Sequence, residues 1–104
     1  MILGDVLDIT YKNRKIERIC TSAEAAERAY GKDMAAKIHQ RIDELSAADT
    51  VEMMIKFHIG RCHPLSQNRK GQYALDLIHP YRLVFSKSGD TIQIAYIIEI
   101  VDYH

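Results

Sequence analysis

The sequence predicts an α+β domain, with helices from the first half packed on one face of an antiparallel sheet made by the second half. Three observations predict it. From Asn13 to Ala47 apolar residues recur at steps of three and four, the spacing of one helix face. Past Gly60 the period changes to two, since Tyr73, Leu75 and Leu77 alternate with Ala74 and Asp76. The later apolar runs are joined by connections too short for a parallel crossover, which takes about a dozen residues. At 104 residues, 47% hydrophobic and 27% charged, the chain has the length and composition of one ordinary globular domain spanning residues 1–104.

Each element has its own signal. Val6 to Tyr11 reads as a short first strand, because Val, Ile, Thr and Tyr favour extended backbone. From Asn13, the residues Ile16, Ile19, Cys20, Ala23, Ala26 and Tyr30 mark a helix face, and Thr21 with Glu24 has capping-box spacing, so the helix is expected to restart there after a kink. Gly31 ends it. A second helix is expected from about Asp33 to Ala47, with Met34, Ile38, Ile42 and Leu45 on its buried stripe and Lys37, Arg41 and Glu44 facing away. Thr50 caps a short helical turn reaching Phe57.

Three strands follow. Tyr73 to Leu77 comes first; His79-Pro80 interrupts; Tyr81, Leu83 and Phe85 repeat the alternation; Ser88-Gly89-Asp90 turns; and Ile92, Ile94, Tyr96, Ile98 and Ile100 make the last strand. With the even positions of that strand in the core, Gln93, Glu99 and Tyr103 point to the opposite face, together with Arg82 and Gln72. One face of the sheet is therefore expected to be polar and open. Strict alternation also turns Asp102 and His104 inward, unless the strand ends near Val101.

Composition excludes several functions. The longest apolar run near the C-terminus, Ile94 to Ile98, is five residues, against about 20 for a membrane span. No secretory signal is visible either, so a cytoplasmic location without membrane contact is expected. Cys20 and Cys62 form no CxxC pattern and read as reduced structural thiols. Fourteen basic residues balance fourteen acidic ones, which argues against binding nucleic acid by bulk charge. Yet from Met53 to Leu75 the ionised residues are Lys56, Arg61, Arg69 and Lys70, with no Asp or Glu in the stretch and with His58 and His63 among them. His58, Cys62 and His63 fall short of a zinc site, which needs a further donor or a water held by well-placed groups, so neither metal nor cofactor is expected.

His63-Pro64-Leu65, then Asn68-Arg69-Lys70-Gly71-Gln72, Tyr81-Arg82 and the closing Asp102-Tyr103-His104 resemble, in order and spacing, the HigB branch of the RelE/ParE toxins of bacterial toxin–antitoxin systems. The likeness covers about the last 45 residues, and the helices agree in number and order. It implies a RelE-like α+β fold, cleavage of messenger RNA in the A site of the translating ribosome, and neutralisation by a HigA-like antitoxin. Carried over by position, it nominates His63, Asp102, Tyr103 and His104 as catalytic and Arg69, Lys70 and Arg82 as phosphate contacts, to which the local basic stretch adds Arg61.

The chemistry is coherent without the likeness. RNA is cut without metal when its own 2′-hydroxyl attacks the adjacent phosphate, which requires a proton acceptor, a proton donor and positive charge on the phosphoryl oxygens. Histidine, whose ordinary pKa is about 6.5, supplies both proton roles, and Arg or Lys supplies the charge. Proximity of its own α-carboxylate favours the imidazolium of His104 and hence a donor role. One departure matters: where the family pattern has a lysine after His-Pro-Leu, this chain has Ser66, and Gln67-Asn68 replaces a Gly-Asp type of turn. A missing phosphate contact predicts an attenuated nuclease. A ParE-like toxin that inhibits DNA gyrase by contact, and a degenerate toxin retained as the antitoxin's partner and co-repressor, are the competing expectations.

Overall fold

The computed structural model describes residues 7–90 and 92–102. The chain runs β1 (Asp8–Tyr11), α1 (Arg14–Thr21), α2 (Ala23–Tyr30), α3 (Lys32–Ala47), α4 (Val51–Lys56), β2 (His63–Pro64), β3 (Gln72–Asp76), β4 (Tyr81–Ser88) and β5 (Ile94–Asp102), with 3-10 turns at Ile59–Arg61 and Gln67–Arg69. The described strands form one sheet in the order β1-β5-β4-β3-β2. The helices lie on one face of it, as an α+β domain requires.

Short polar side chains start the helices. Asn13 Oδ1 accepts from Ile16 N at 2.9 Å, and Thr50 Oγ1 accepts from Met53 N at 3.1 Å, each satisfying a donor that the first helical turn leaves without a partner. The break between α1 and α2 lies one residue beyond the expected capping box. Ser22 Oγ, not Thr21, accepts from Ala25 N, while the Thr21 hydroxyl donates back to Glu17 O at 2.7 Å. Gly31, at φ +89°, closes α2 and opens α3, a conformation that costs glycine nothing.

The helices bury the predicted stripes. Met34, Ala35, Ile38, Ile42 and Leu45 of α3, with Ile19 and Ala26 of α1 and α2 and Met54 of α4, pack on Leu75, Leu83, Phe85, Ala95 and Ile97 of the sheet. Each large apolar side chain so buried contributes about 1.5–3 kcal/mol. Arg41 does not face away. It is 13% exposed, and its Nε donates to the carbonyl of Asp76 at 2.7 Å, because its long stem lies along the layer and reaches a backbone acceptor at the end of β3.

Two features of the sheet depart from expectation. β1 pairs parallel to β5, Asp8 with Ile94 through Tyr11 with Ile97, since nearly the whole chain separates the two and no short connection forces them antiparallel. The other pairs are antiparallel. The phase of β5 is also different. Ala95 and Ile97 are buried, whereas Ile92, Ile94 and Tyr96 are exposed. Pairing passes from Phe85↔Ile97 to Val84↔Glu99, so Ile98 is the extra residue of a β-bulge, and only beyond it does an even position, Ile100, return to the core opposite Leu83. Gln93 consequently lies on the helix side. It is buried, its Oε1 accepts from Val51 N at 2.9 Å and its Nε2 donates to Glu52 Oε1 at 2.9 Å, which anchors the start of α4.

Candidate functional site

The face of the sheet away from the helices is built by register. His63 on β2 pairs with Ala74, Ala74 with Val84, and Val84 with Glu99, which sets these four in one row across the sheet. The neighbouring row holds Asp76, Arg82 and Val101. Glu99 reaches this face only because of the bulge at Ile98. The two-residue strand β2, too short to show any period in sequence, is what fixes His63 at one end of the row.

The loop before β2 is wound tightly. His58, Gly60 and Arg61 all have positive φ, at 57°, 59° and 51°. Such conformations are uncommon for residues with a side chain, and here they turn the Arg61 carbonyl toward the imidazole that follows it. His63 Nδ1 lies 2.7 Å from Arg61 O. A carbonyl only accepts, so Nδ1 carries a proton, and in the neutral form of the ring the lone pair therefore lies at Nε2. His63, Arg61, Arg82, His58 and Cys62 together line a cleft of about 260 Å³.

Asp76 organises the basic side of that cleft. Its Oδ2 lies 3.3 Å from Arg61 Nε and its Oδ1 3.4 Å from Arg82 Nε. Sequence reasoning missed this residue, although the alternation that set Tyr73, Leu75 and Leu77 inward already turned Asp76 outward; what was lacking was the register opposite Arg82. Burial pushes the Cys62 thiol up to about 12, so at neutral pH it is an uncharged wall of the cleft and not a nucleophile. Cys20, buried between the helices and the sheet, is likewise pushed up to about 12. Among the described residues no group of three or more His, Cys, Asp or Glu side chains is arranged to hold a metal ion.

Solved structures share this architecture. The YoeB/ParE toxin from Agrobacterium tumefaciens matches with a TM-score of 0.64 over 93% of this chain and 99% of its own, at 14% identity. The YoeB dimer from Staphylococcus aureus matches with a TM-score of 0.60 over 94% of this chain and 97% of its own, at 23% identity, and YoeB in the YoeB-YefM complex from the same organism gives 0.61. This chain has the YoeB/ParE toxin fold. No family model and no curated protein sequence matches it.

Within this YoeB/ParE fold the nominated residues separate into groups. Arg61, His63 and Arg82 share the cleft. Arg69 lies on the same open face but at its far side, ion-paired with Glu99 and donating from Nε to Gln72 Oε1 at 2.9 Å. Glu99 is three strand spacings from His63, roughly 14 Å. Lys70 is exposed beside Gly71, and Ser66 is exposed in the same loop. Asp102 pairs with Tyr81, whose ring packs edge-on against Tyr30 of the helix layer, so the end of β5 sets Asp102 on the helix side. Tyr103 and His104 lie outside the described residues, as does Val6 of the expected first strand. His39, on α3, is a structural histidine: its Nε2 is bonded to Ile19 O at 3.0 Å and ties α3 to α1. No helix among the described residues is long and apolar enough to cross a membrane.

Proposed function

We propose that residues 1–104 form a single toxin domain of a type II toxin–antitoxin pair, a HigB-like member of the RelE/ParE superfamily that cleaves messenger RNA in the ribosomal A site without a metal ion. The observation that carries this reading is the His63 imidazole, held with Nδ1 protonated by the Arg61 carbonyl and its Nε2 available beside Arg61 and Arg82. In the proposed reaction Nε2 takes the proton of a ribose 2′-hydroxyl, that oxygen attacks the adjacent phosphorus, and the bond to the 5′-oxygen breaks. His104 returns a proton to the leaving oxygen, leaving a 2′,3′-cyclic phosphate and a 5′-hydroxyl. Arg61 and Arg82 carry the charge that balances the phosphoryl oxygens, with Arg69 and Lys70 as further contacts along the strand. Tyr103 stacks on a base or orients the 2′-hydroxyl, and Asp102 orients an imidazole. Ser66, in place of a lysine, makes the enzyme slow.

The YoeB-YefM complex among the matching structures supports an antitoxin as partner, here of the HigA-like type suggested by the sequence motifs. A cytoplasmic location follows from a ribosomal target. The test is induced expression in a bacterium of the wild type, His63→Ala and His104→Ala, following growth and mapping messenger RNA ends. Growth arrest with new RNA ends that vanish in both variants is the expected result. Arrest that persists in the variants without new ends, together with inhibited DNA supercoiling, would replace the nuclease with a ParE-like gyrase toxin. Wild-type expression that never slows growth would leave the co-repressor reading standing.

A further inference from the structure

Asp76 stands between the two guanidiniums of the cleft. It is the last residue of β3, directly opposite Arg82 in register, and the loop carrying Arg61 folds over its other side. Its backbone carbonyl is itself held, since Arg41 Nε donates to it at 2.7 Å while Arg41 Nη1 pairs with Glu44 at 2.9 Å. The carboxylate is thus fixed from behind by the helix layer and faces two cations in front. Its Oδ1 is buried and, among the described residues, makes no hydrogen bond of good geometry, although Arg82 Nε lies 3.4 Å away. A long ion pair offsets the desolvation of a buried carboxylate oxygen less fully than a hydrogen bond does, so its retention calls for a role other than packing.

Electrostatics supply the role. Two guanidiniums at one cleft repel each other, and Arg61, whose side chain is 76% exposed, is held there by little packing. An anion between them removes the repulsion and sets their spacing. The backbone of the same Arg61 provides the carbonyl that bonds His63 Nδ1, so whatever restrains Arg61 also restrains the tautomer of His63.

We propose that Asp76 is the positioning residue of this site: it holds Arg61 and Arg82 apart on the two sides of the cleft and, through Arg61, keeps His63 in its Nδ1–H form. The use of that spacing, to receive an RNA phosphate, rests on the endoribonuclease reading; the tautomer is a property of the protein alone. Because Asp76 is itself negative, it opposes RNA binding while it favours turnover. Its removal therefore separates the two, as loss of a packing residue does not.

The experiment uses the full chain as wild type, Asp76→Asn, which keeps shape and removes charge, and Asp76→Glu, which keeps charge. Nitrogen-detected NMR of the His63 ring reads the tautomer. Cleavage of messenger RNA on purified ribosomes gives kcat, and binding of an oligonucleotide carrying a 2′-deoxy residue at the cleavage position gives affinity without turnover. The expected result is an Asn variant with a readily measured Nε2–H population and kcat lower by about 10- to 100-fold. Its affinity should be equal or higher, and the Glu variant should restore the wild-type tautomer. An Asn variant with the wild-type tautomer overturns the proposal, as does one in which kcat, affinity and melting temperature fall together. A wild type that cleaves no RNA while its tautomer still depends on Asp76 removes the endoribonuclease reading and keeps the positioning role.

Discussion

Arg69 is ion-paired with Glu99 across the open face of the sheet, joining the loop before β3 to the bulged stretch of β5. With Gln72 taking its Nε, the guanidinium lies flat along the strands at about one-third exposure, a geometry that internal partners define before any phosphate arrives.

Glu99→Gln is therefore expected to strengthen RNA binding. The substitution removes one negative charge from the face proposed to meet the phosphates, and a partly exposed charge of this kind is worth about 1 kcal/mol, or roughly fivefold in affinity at low salt. The gain should shrink at high ionic strength, where the screening length falls to about 3 Å. Titrating a labelled single-stranded RNA against both proteins at two salt concentrations checks it; equal affinities at low salt would show that Glu99 has no bearing on binding.

Gly60→Ala should destabilise the fold and open the cleft. Gly60 sits at φ +59°, and a Cβ there would come within 2.9 Å of Arg41 Nε and 3.1 Å of Leu75 Cδ2. Arg41 cannot yield freely because it is bonded to Asp76 O. Strain of this sort costs about 1–3 kcal/mol, and each kcal/mol lowers Tm by roughly 4–8 °C in a domain of this size. Thermal melts followed by circular dichroism measure the loss, and an unchanged Tm would mean that the loop is not held from behind.

Acid should weaken the tie between α4 and the sheet. Hydrogen bonds from Gln93 and then from Lys87 hold the Glu52 carboxyl at about 2, below its ordinary 4.5. A carboxylate with a lowered folded-state pKa adds stability that is present in full above about 4.5 and is lost as pH falls toward 2. Since Glu52 is 57% exposed, the effect is small and screened by salt. Melting the wild type and Glu52→Gln between pH 5 and pH 2 should show a steeper decline for the wild type; parallel curves would place the acid sensitivity elsewhere.

The helices were legible because each rests on local rules. A stripe at steps of three and four gave α3 with Met34, Ile38, Ile42 and Leu45 inward, and Gly31 and Thr50 marked their boundaries as expected. The phase of β5 was not legible. Ile94 to Ile98 is apolar on both faces, so alternation within it carries no sign, and the bulge that decides the matter depends on pairing with β4. Arg41 was misjudged for the same reason: a helical wheel gives the direction of its Cβ but not the acceptor its guanidinium reaches.

Periodicity and side-chain chemistry, both readable along the chain, were enough for the α+β class, for the order of the helices and the three long strands, and for the residue types of the proposed RNA-cutting site. Tertiary structure decided which of those residues meet. It brought His63, Arg61 and Arg82 to one cleft, set Asp76 between the arginines, gave Arg69 to Glu99 and turned Asp102 toward the helix side. Strand register and one inserted residue make those choices, and a shift of a single position sends a side chain to the opposite face.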